Sequence, residues 1–146
     1  MRAVIQRVSN AYVDIEGDRI AEIGRGLLVL LGIEKSDDIS IAEKMARKIK
    51  ELRVFAGPSS NIDLSIEDID GEILVVSQFT LCADVSRGRR PSFSNAASPE
   101  QAEQIYDHFC SYLKSLWGKV KEGRFGAMMM VGLVNEGPVT LVIDLH

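Results

Sequence analysis

Histidine is nearly absent from this chain of 146 residues, with only His108 and His146 present. A Ser-His-Asp or Cys-His arrangement would have to rest on one of the two, and neither has a recognisable context. Cysteine is equally scarce. Cys82 and Cys110 make no metal-ligand spacing, and in a cytosolic protein both are expected as free thiols. No apolar run approaches membrane-spanning length, the longest being Leu27 to Ile33. Arg2 and Arg7 bring charge too early for a signal peptide, so the expected location is cytoplasmic, away from any membrane. Basic excess is missing too. The net charge of -4 speaks against a generic nucleic-acid coat, though it leaves room for a local basic patch. Repeats, linkers and low-complexity segments are not found.

What remains has ordinary proportions. With 46% hydrophobic and 26% charged residues, the chain fits a single domain spanning 1–146 that buries a core without disulfides. Ala3 to Val8 alternates as a strand, placing Ala3, Ile5 and Arg7 on one face and Val4, Gln6 and Val8 on the other. Ala11 to Ile15 and Arg19 to Ile23 form a hairpin across Glu16-Gly17-Asp18. Leu27 to Ile33 is continuously apolar, the mark of a strand covered on both faces.

Two helices stand out. The first has N-cap candidates at Ser36, Asp37, Asp38 and Ser40, an apolar stripe of Ile41, Met45, Ile49 and Leu52, and a basic outer face with Lys44, Arg47, Lys48 and Lys50. The second starts at Ser98-Pro99-Glu100-Gln101, with Gln101 placed to close a capping box. Its stripe is Ala102, Ile105, Tyr106, Phe109, Tyr112, Leu113 and Leu116. His108 and Cys110 fall off that stripe, and Gly118 ends the helical region. Arg53 to Ala56 and Val120 to Glu122 read as short strands. The expected class is α+β: an extensive, mostly antiparallel sheet or barrel-like β core packed by two main helices.

Three stretches carry candidate chemistry. Glu72 to Val76, a short apolar strand, runs directly into Ser77-Gln78-Phe79-Thr80, hydrogen-bonding side chains that a core strand would hold rigidly. Arg87, Arg89 and Arg90 crowd a loop broken by Gly88 and Pro91. That loop is either a solvated basic surface or a set of forks for phosphate. Asn135-Glu136-Gly137-Pro138-Val139-Thr140 separates two apolar runs, Met128 to Val134 and Val139 to Ile143, and reads locally as a turn between neighbouring strands.

Together with Ile5-Gln6-Arg7-Val8 and Gly123-Arg124-Phe125-Gly126-Ala127, these stretches closely resemble the D-aminoacyl-tRNA deacylase family of the bacterial and eukaryotic type. The resemblance covers essentially the whole chain, and its two most specific motifs are Ser77 to Thr80 and Asn135 to Thr140. It implies a hydrolase of the ester between a D-amino acid and the 3′-terminal adenosine of tRNA, working as a homodimer without metal or cofactor. Ser77, Gln78, Phe79 and Thr80 would line the reaction site. Gly137-Pro138, with a cis peptide, would cross into the partner's pocket as a gate against L-amino acids, steadied by Arg7. Phe125 and Met129 match pocket positions, and Arg87, Arg89 and Arg90 become candidates for tRNA phosphate contacts. Glycyl-tRNA mischarged on alanine tRNA is a further expected substrate. Whether Thr80 is the nucleophile or only positions substrate for hydrolysis assisted by the ribose 2′-hydroxyl stays open, the second being preferred because no base near Thr80 can be named. The competing class is a non-catalytic tRNA-binding module of the same fold. The chain departs from the family in its Met128-Met129-Met130 run and in Glu136, which stands where aspartate is usual.

Overall fold

A two-residue turn sets the first sheet contact. In the computed structural model, which describes residues 1–146, Glu16 and Gly17 take positive φ of 52° and 90°. Such a turn matches the right-handed twist of the strands it joins. It makes β1 (Arg2–Ile15) and β2 (Asp18–Ile23) antiparallel, with Ile15 opposite Asp18.

β1 is one strand where the sequence suggests two. Its ladder with the last strand shifts register on either side of Val8, and the irregularity changes which face the side chains take. Ala3 and Ile5 enter a core under the helices, whereas Val8, Ala11 and Val13 enter a second core on the opposite face. β3 (Gly26–Gly32) pairs antiparallel with the first half of β1 and parallel with β4 (Glu72–Ser77), which in turn pairs parallel with β5 (Val120–Glu122). β6 (Met130–Asp144) runs along the other edge of β1. The sheet is therefore mixed, with antiparallel ladders around β1 and a parallel flank. It curls into a nearly barrel-shaped single domain in which β2 approaches β4 and β5.

Both helices pack on one face of this sheet. α1 (Ile39–Glu51) is capped by Asp38, whose carboxylate accepts the Ile41 N–H at 2.9 Å. Ala42, Met45, Ala46 and Ile49 are its buried side. α2 (Pro99–Leu116) is capped by Ser98 and buries Ile105, Tyr106, Phe109 and Leu113. Gln101 does not close the capping box: its amide donates to the Lys35 and Asp37 carbonyls at 3.2 and 3.3 Å, tying α2 to the approach of α1. Cys110, expected off the stripe, is core, and burial pushes its thiol well above the ordinary value. Both cysteines are free thiols. The helix ends at Leu116 with Trp117 as its cap, just before Gly118. On α1, Lys50 pairs with Glu67 at 2.5 Å, and Lys44 and Lys48 make no ion pair.

Two further expectations change. Arg53 to Ala56 is no strand but a single bridge between Phe55 and Leu64. The Phe55 carbonyl accepts from both the Asp63 and Leu64 N–H groups, so the pairing closes on itself. Asn135 to Thr140 is not a turn between strands. β6 continues through it, and Gly137-Pro138, a cis peptide, lies inside the strand. Gln6 faces Thr140 and Val8 faces Asn135, so two steps along β1 match five along β6, and three extra residues bulge from the ladder. No helix is long and apolar enough to cross a membrane.

Candidate active site

β4 delivers Ser77 to the rim of the sheet, opposite Leu31 of β3. The next residue is fixed as well, because the Gln78 N–H donates to the Leu31 carbonyl at 2.8 Å. Phe79–Cys82 then makes one 3₁₀ turn, closed by Leu81 N–H to the Gln78 carbonyl at 3.1 Å and Ala83 N–H to the Thr80 carbonyl at 3.2 Å. The Gln78 side-chain amide donates to Thr80 Oγ1. Thr80 thus receives a hydrogen bond from a neutral amide and faces no base.

Ser77, Gln78 and Phe79 border a cleft of about 490 Å³ whose other walls include Phe125, Met129 and the start of α2. Its lining is mainly apolar with few polar groups, the usual character of a small-ligand site. Phe125 is seated against Tyr106, ring centroids 5.8 Å apart. The methionine run divides by alternation: Met129 packs against the second core, while Met128 and Met130 point outward, 92% and 74% exposed. A cleft of similar size, about 510 Å³, lies at the other end of β4 and is lined by Arg25, Asp70, Glu72, Lys119 and Lys121. Its lysines already pair, Lys119 with Asp70 at 2.6 Å and Lys121 with Glu72 at 3.5 Å. The apolar cleft beside Ser77 is the better candidate.

The arginine loop is anchored next to this cleft. Asp84 and Ser92 exchange backbone hydrogen bonds at 2.7 and 2.9 Å, closing the loop at its base. Hydrogen bonds from Ser86 hold the Asp84 carboxyl below its ordinary value. Just beyond, Phe93 packs edge-on against Phe79, centroids 5.0 Å apart. Arg87, Arg89 and Arg90 are exposed, and none has an ion pair.

The Gly137-Pro138 bulge lies elsewhere. Buried Arg7 stands at its base, donating from Nε to the Glu136 carbonyl at 3.0 Å and from Nη1 to the Val54 and Asn61 carbonyls at 2.8 and 2.9 Å. Gly137 has φ +127°, and a Cβ there would sit 2.9 Å from Arg7 Nη2. Asn135 closes the bulge: its Oδ1 accepts the Val139 N–H at 3.0 Å and its Nδ2 donates to Thr140 Oγ1 at 2.8 Å. Sequence reasoning named this motif without giving Asn135 or Thr140 a task. Their spacing around Gly-Pro was the available signal. Along β3, Arg7 is level with Leu27 and Ser77 with Leu31. Four residues at about 3.3 Å each offset the two levels by roughly 13 Å along the strands, and β1 and β3 lie between the bulge on β6 and the reaction motif on β4. The structure therefore gathers Ser77, Gln78, Phe79, Phe125 and Met129 around one cleft, places Thr80 exposed on the adjoining turn outside its lining, and leaves Arg7, Gly137 and Pro138 apart from them.

Comparison with known proteins shows the family. The family model for D-Tyr-tRNA(Tyr) deacylase matches residues 4–144. A D-aminoacyl-tRNA deacylase of Thermosipho melanesiensis is 51% identical over 145 residues, covering 99% of this chain and 97% of the relative. One of Roseiflexus castenholzii is 54% identical over 144 residues, covering 99% and 92%. Among solved structures, one described as c-Myc DNA Unwinding Element Binding Protein superposes with a TM-score of 0.95 at 44% identity, covering 100% of this chain and 99% of the other. A probable eukaryotic D-amino acid tRNA deacylase, at 19% identity and TM-score 0.87 over 99% and 98%, shares the fold. On the full-length family match and these identities, the chain belongs to the D-Tyr-tRNA(Tyr) deacylase family.

Proposed function

We propose that this protein hydrolyses the ester joining a D-amino acid to the 3′-terminal adenosine of tRNA. Family membership supports the reaction class, and one observation carries the site: an intact Ser77–Thr80 segment held at the end of a core strand beside an apolar cleft. Water adds to the ester carbonyl, the bond to the ribose oxygen breaks, and that oxygen leaves with a proton. Aminoacyl esters are already activated, so the protein needs chiefly to orient the acyl group and stabilise the oxyanion. The Phe79 and Thr80 N–H groups open the 3₁₀ turn, where amides have no intrahelical acceptor, and we assign them to that oxygen. Thr80, lacking a base, positions the substrate, and the ribose 2′-hydroxyl assists the attacking water.

Chirality is set from a second copy. In a homodimer, each cleft receives Gly137-Pro138 of the partner, whose carbonyls fill the space an L side chain would need, so the wrong hand is refused by clash. The exposed apolar side chains of Met130, Val134 and Val142 along β6, and the distance of the bulge from its own cleft, support a shared arrangement. Glycine carries no side chain to exclude, so glycyl-tRNA is a substrate as well. Arg87, Arg89 and Arg90 contact phosphates near the acceptor end without reading sequence.

Incubation of the protein with D-tyrosyl-, L-tyrosyl- and glycyl-tRNA tests the reading. The first and third are cleaved and the second spared. Cleavage of none would make the protein a tRNA-binding module and overturn the proposal. On tRNA ending in 2′-deoxyadenosine, single-turnover hydrolysis is expected to collapse, and near-normal rates would return the nucleophile's part to Thr80.

A further inference from the structure

The 3₁₀ turn that carries Thr80 ends in carbonyls with no acceptor role inside so short a helix. One of them, Leu81 O, is met from outside the motif: Arg2, the first residue of β1, donates from Nη1 at 3.1 Å. The same guanidinium is held on its other side by Asp144, near the end of β6, through Nε to Oδ1 at 2.6 Å and Nη2 to Oδ2 at 3.3 Å. Arg2 and Asp144 are direct partners in the β1–β6 ladder, so the sheet itself sets their separation. A guanidinium is planar and offers donors on several edges, so one side chain can grip a carboxylate and a carbonyl in fixed relative directions. An ammonium has three donors that rotate on a flexible stem, so it sets no fixed angle between two acceptors.

We propose that Arg2 and Asp144 form a positioning pair for the reaction: Asp144 aims the guanidinium, and the guanidinium fixes the Leu81 carbonyl and with it the turn presenting Thr80. The pair touches no substrate. It links the first and last strands of the sheet to the residue after Thr80, a connection that no local motif contains. The kinetic part of this inference rests on the hydrolase reading above, and the structural part stands without it.

The test compares the full chain with Arg2→Lys and Asp144→Asn by three measurements. Arg2→Lys keeps a cation opposite Asp144, so the melting temperature stays near that of the parent. In steady-state hydrolysis of D-tyrosyl-tRNA, kcat falls about tenfold or more while KM stays within about twofold, because orientation is lost and binding is not. Asp144→Asn gives a smaller loss of the same kind. Without substrate, hydrogen exchange of the Leu81 and Ala83 amides rises severalfold in Arg2→Lys while that of Val29 in β3 is unchanged. Unchanged exchange at Leu81 and Ala83 overturns the pairing whatever the activity. Faster exchange with a parental kcat overturns its role in the reaction. A kcat loss that merely follows falling melting temperature across the variants overturns it too. If the parent cleaves no aminoacyl-tRNA, the hydrolase reading fails, and the exchange experiment still decides the structural part.

Discussion

Asn135 and Thr140 lie five residues apart on one strand and are joined side chain to side chain at 2.8 Å across the Gly137-Pro138 bulge. Asn135 also accepts the Val139 N–H, so one amide closes the bulge twice. Asn135→Ala removes both bonds. The expected loss is about 1–2 kcal/mol in urea unfolding, with weaker refusal of L-tyrosyl-tRNA in the hydrolysis assay. Parental values in both measurements would show that the bulge holds its shape without Asn135.

Gly137→Ala tests the seat of the bulge on Arg7. An alanine must adopt φ near +127° and place its Cβ against the guanidinium that also holds Val54 and Asn61. Strained backbone of this kind costs about 1–3 kcal/mol. Gly88→Ala is the comparison, since Gly88 also has positive φ but nothing within 4 Å of its would-be Cβ. The melting temperature should fall clearly further for Gly137→Ala, and equal falls would remove Arg7 from the account.

Tyr12 and Gly132 pair across the β1–β6 ladder, and a Cβ on Gly132 would enter the Tyr12 ring. The Arg19 guanidinium lies 3.7 Å from the centre of that ring. Gly132→Ala should destabilise by about 1–3 kcal/mol, as overpacking does. In the double variant with Tyr12→Ala most of that penalty should vanish, a coupling that a double-mutant cycle measures directly. Additive losses would contradict the contact.

Asp144 gives the chain a defined acid dependence. The hydrogen bond and charge of Arg2 hold its carboxyl below the ordinary value of 3.8. A folded-state pKa below the unfolded one stabilises above the unfolded value and loses that contribution as pH falls through the folded one. The stability gap between the parent and Asp144→Asn should therefore be level at neutral pH and narrow below about pH 4. A gap independent of pH down to about 2 would mean that the carboxylate is not paired. Both side chains are more than a third exposed, so the effect should be modest and weaken in salt.

Arg87, Arg89 and Arg90 are expected to act on tRNA through charge. Replacing each with alanine should lower the slope of log affinity against log salt by about 0.7–0.9 for every phosphate that is no longer neutralised. An unchanged slope removes the loop from the interface.

The sequence reveals what is settled locally. Ser98-Pro99 marks the start of α2 and four candidates, Asp38 among them, bracket the start of α1 because caps are made within one turn, and the stripes of α1 and α2 follow from helical period alone. The end of β4 with Ser77 to Thr80 is equally local. What escapes is decided by partners far along the chain. Val8 and Ala11 share a core only because β1 is irregular against β6, and Gly137-Pro138 lies within a strand because Gln6 and Val8 hold ladder on both sides of it. Local chemistry reads such a dipeptide as a corner. Cys110 is core because the curled sheet and β5 surround it, although the periodic stripe passes it by. Arg2, near the start of the sequence, reveals nothing of Leu81 until the sheet is formed.

The separation of the bulge on β6 from the reaction motif on β4 has a genetic counterpart. If each cleft borrows its gate, a damaged gate and a damaged reaction motif need not be defects of the same cleft. Gly137→Ala chains keep the reaction motif but lose the refusal of the L hand, whereas Thr80→Ala chains keep the gate but lose the motif. In an equal mixture under random exchange, about half of the intact motifs would face an intact gate, so cleavage of L-tyrosyl-tRNA would fall by about half while cleavage of D-tyrosyl-tRNA stayed level. One defective preparation would restore selectivity to the other in one tube, as independent monomers could not.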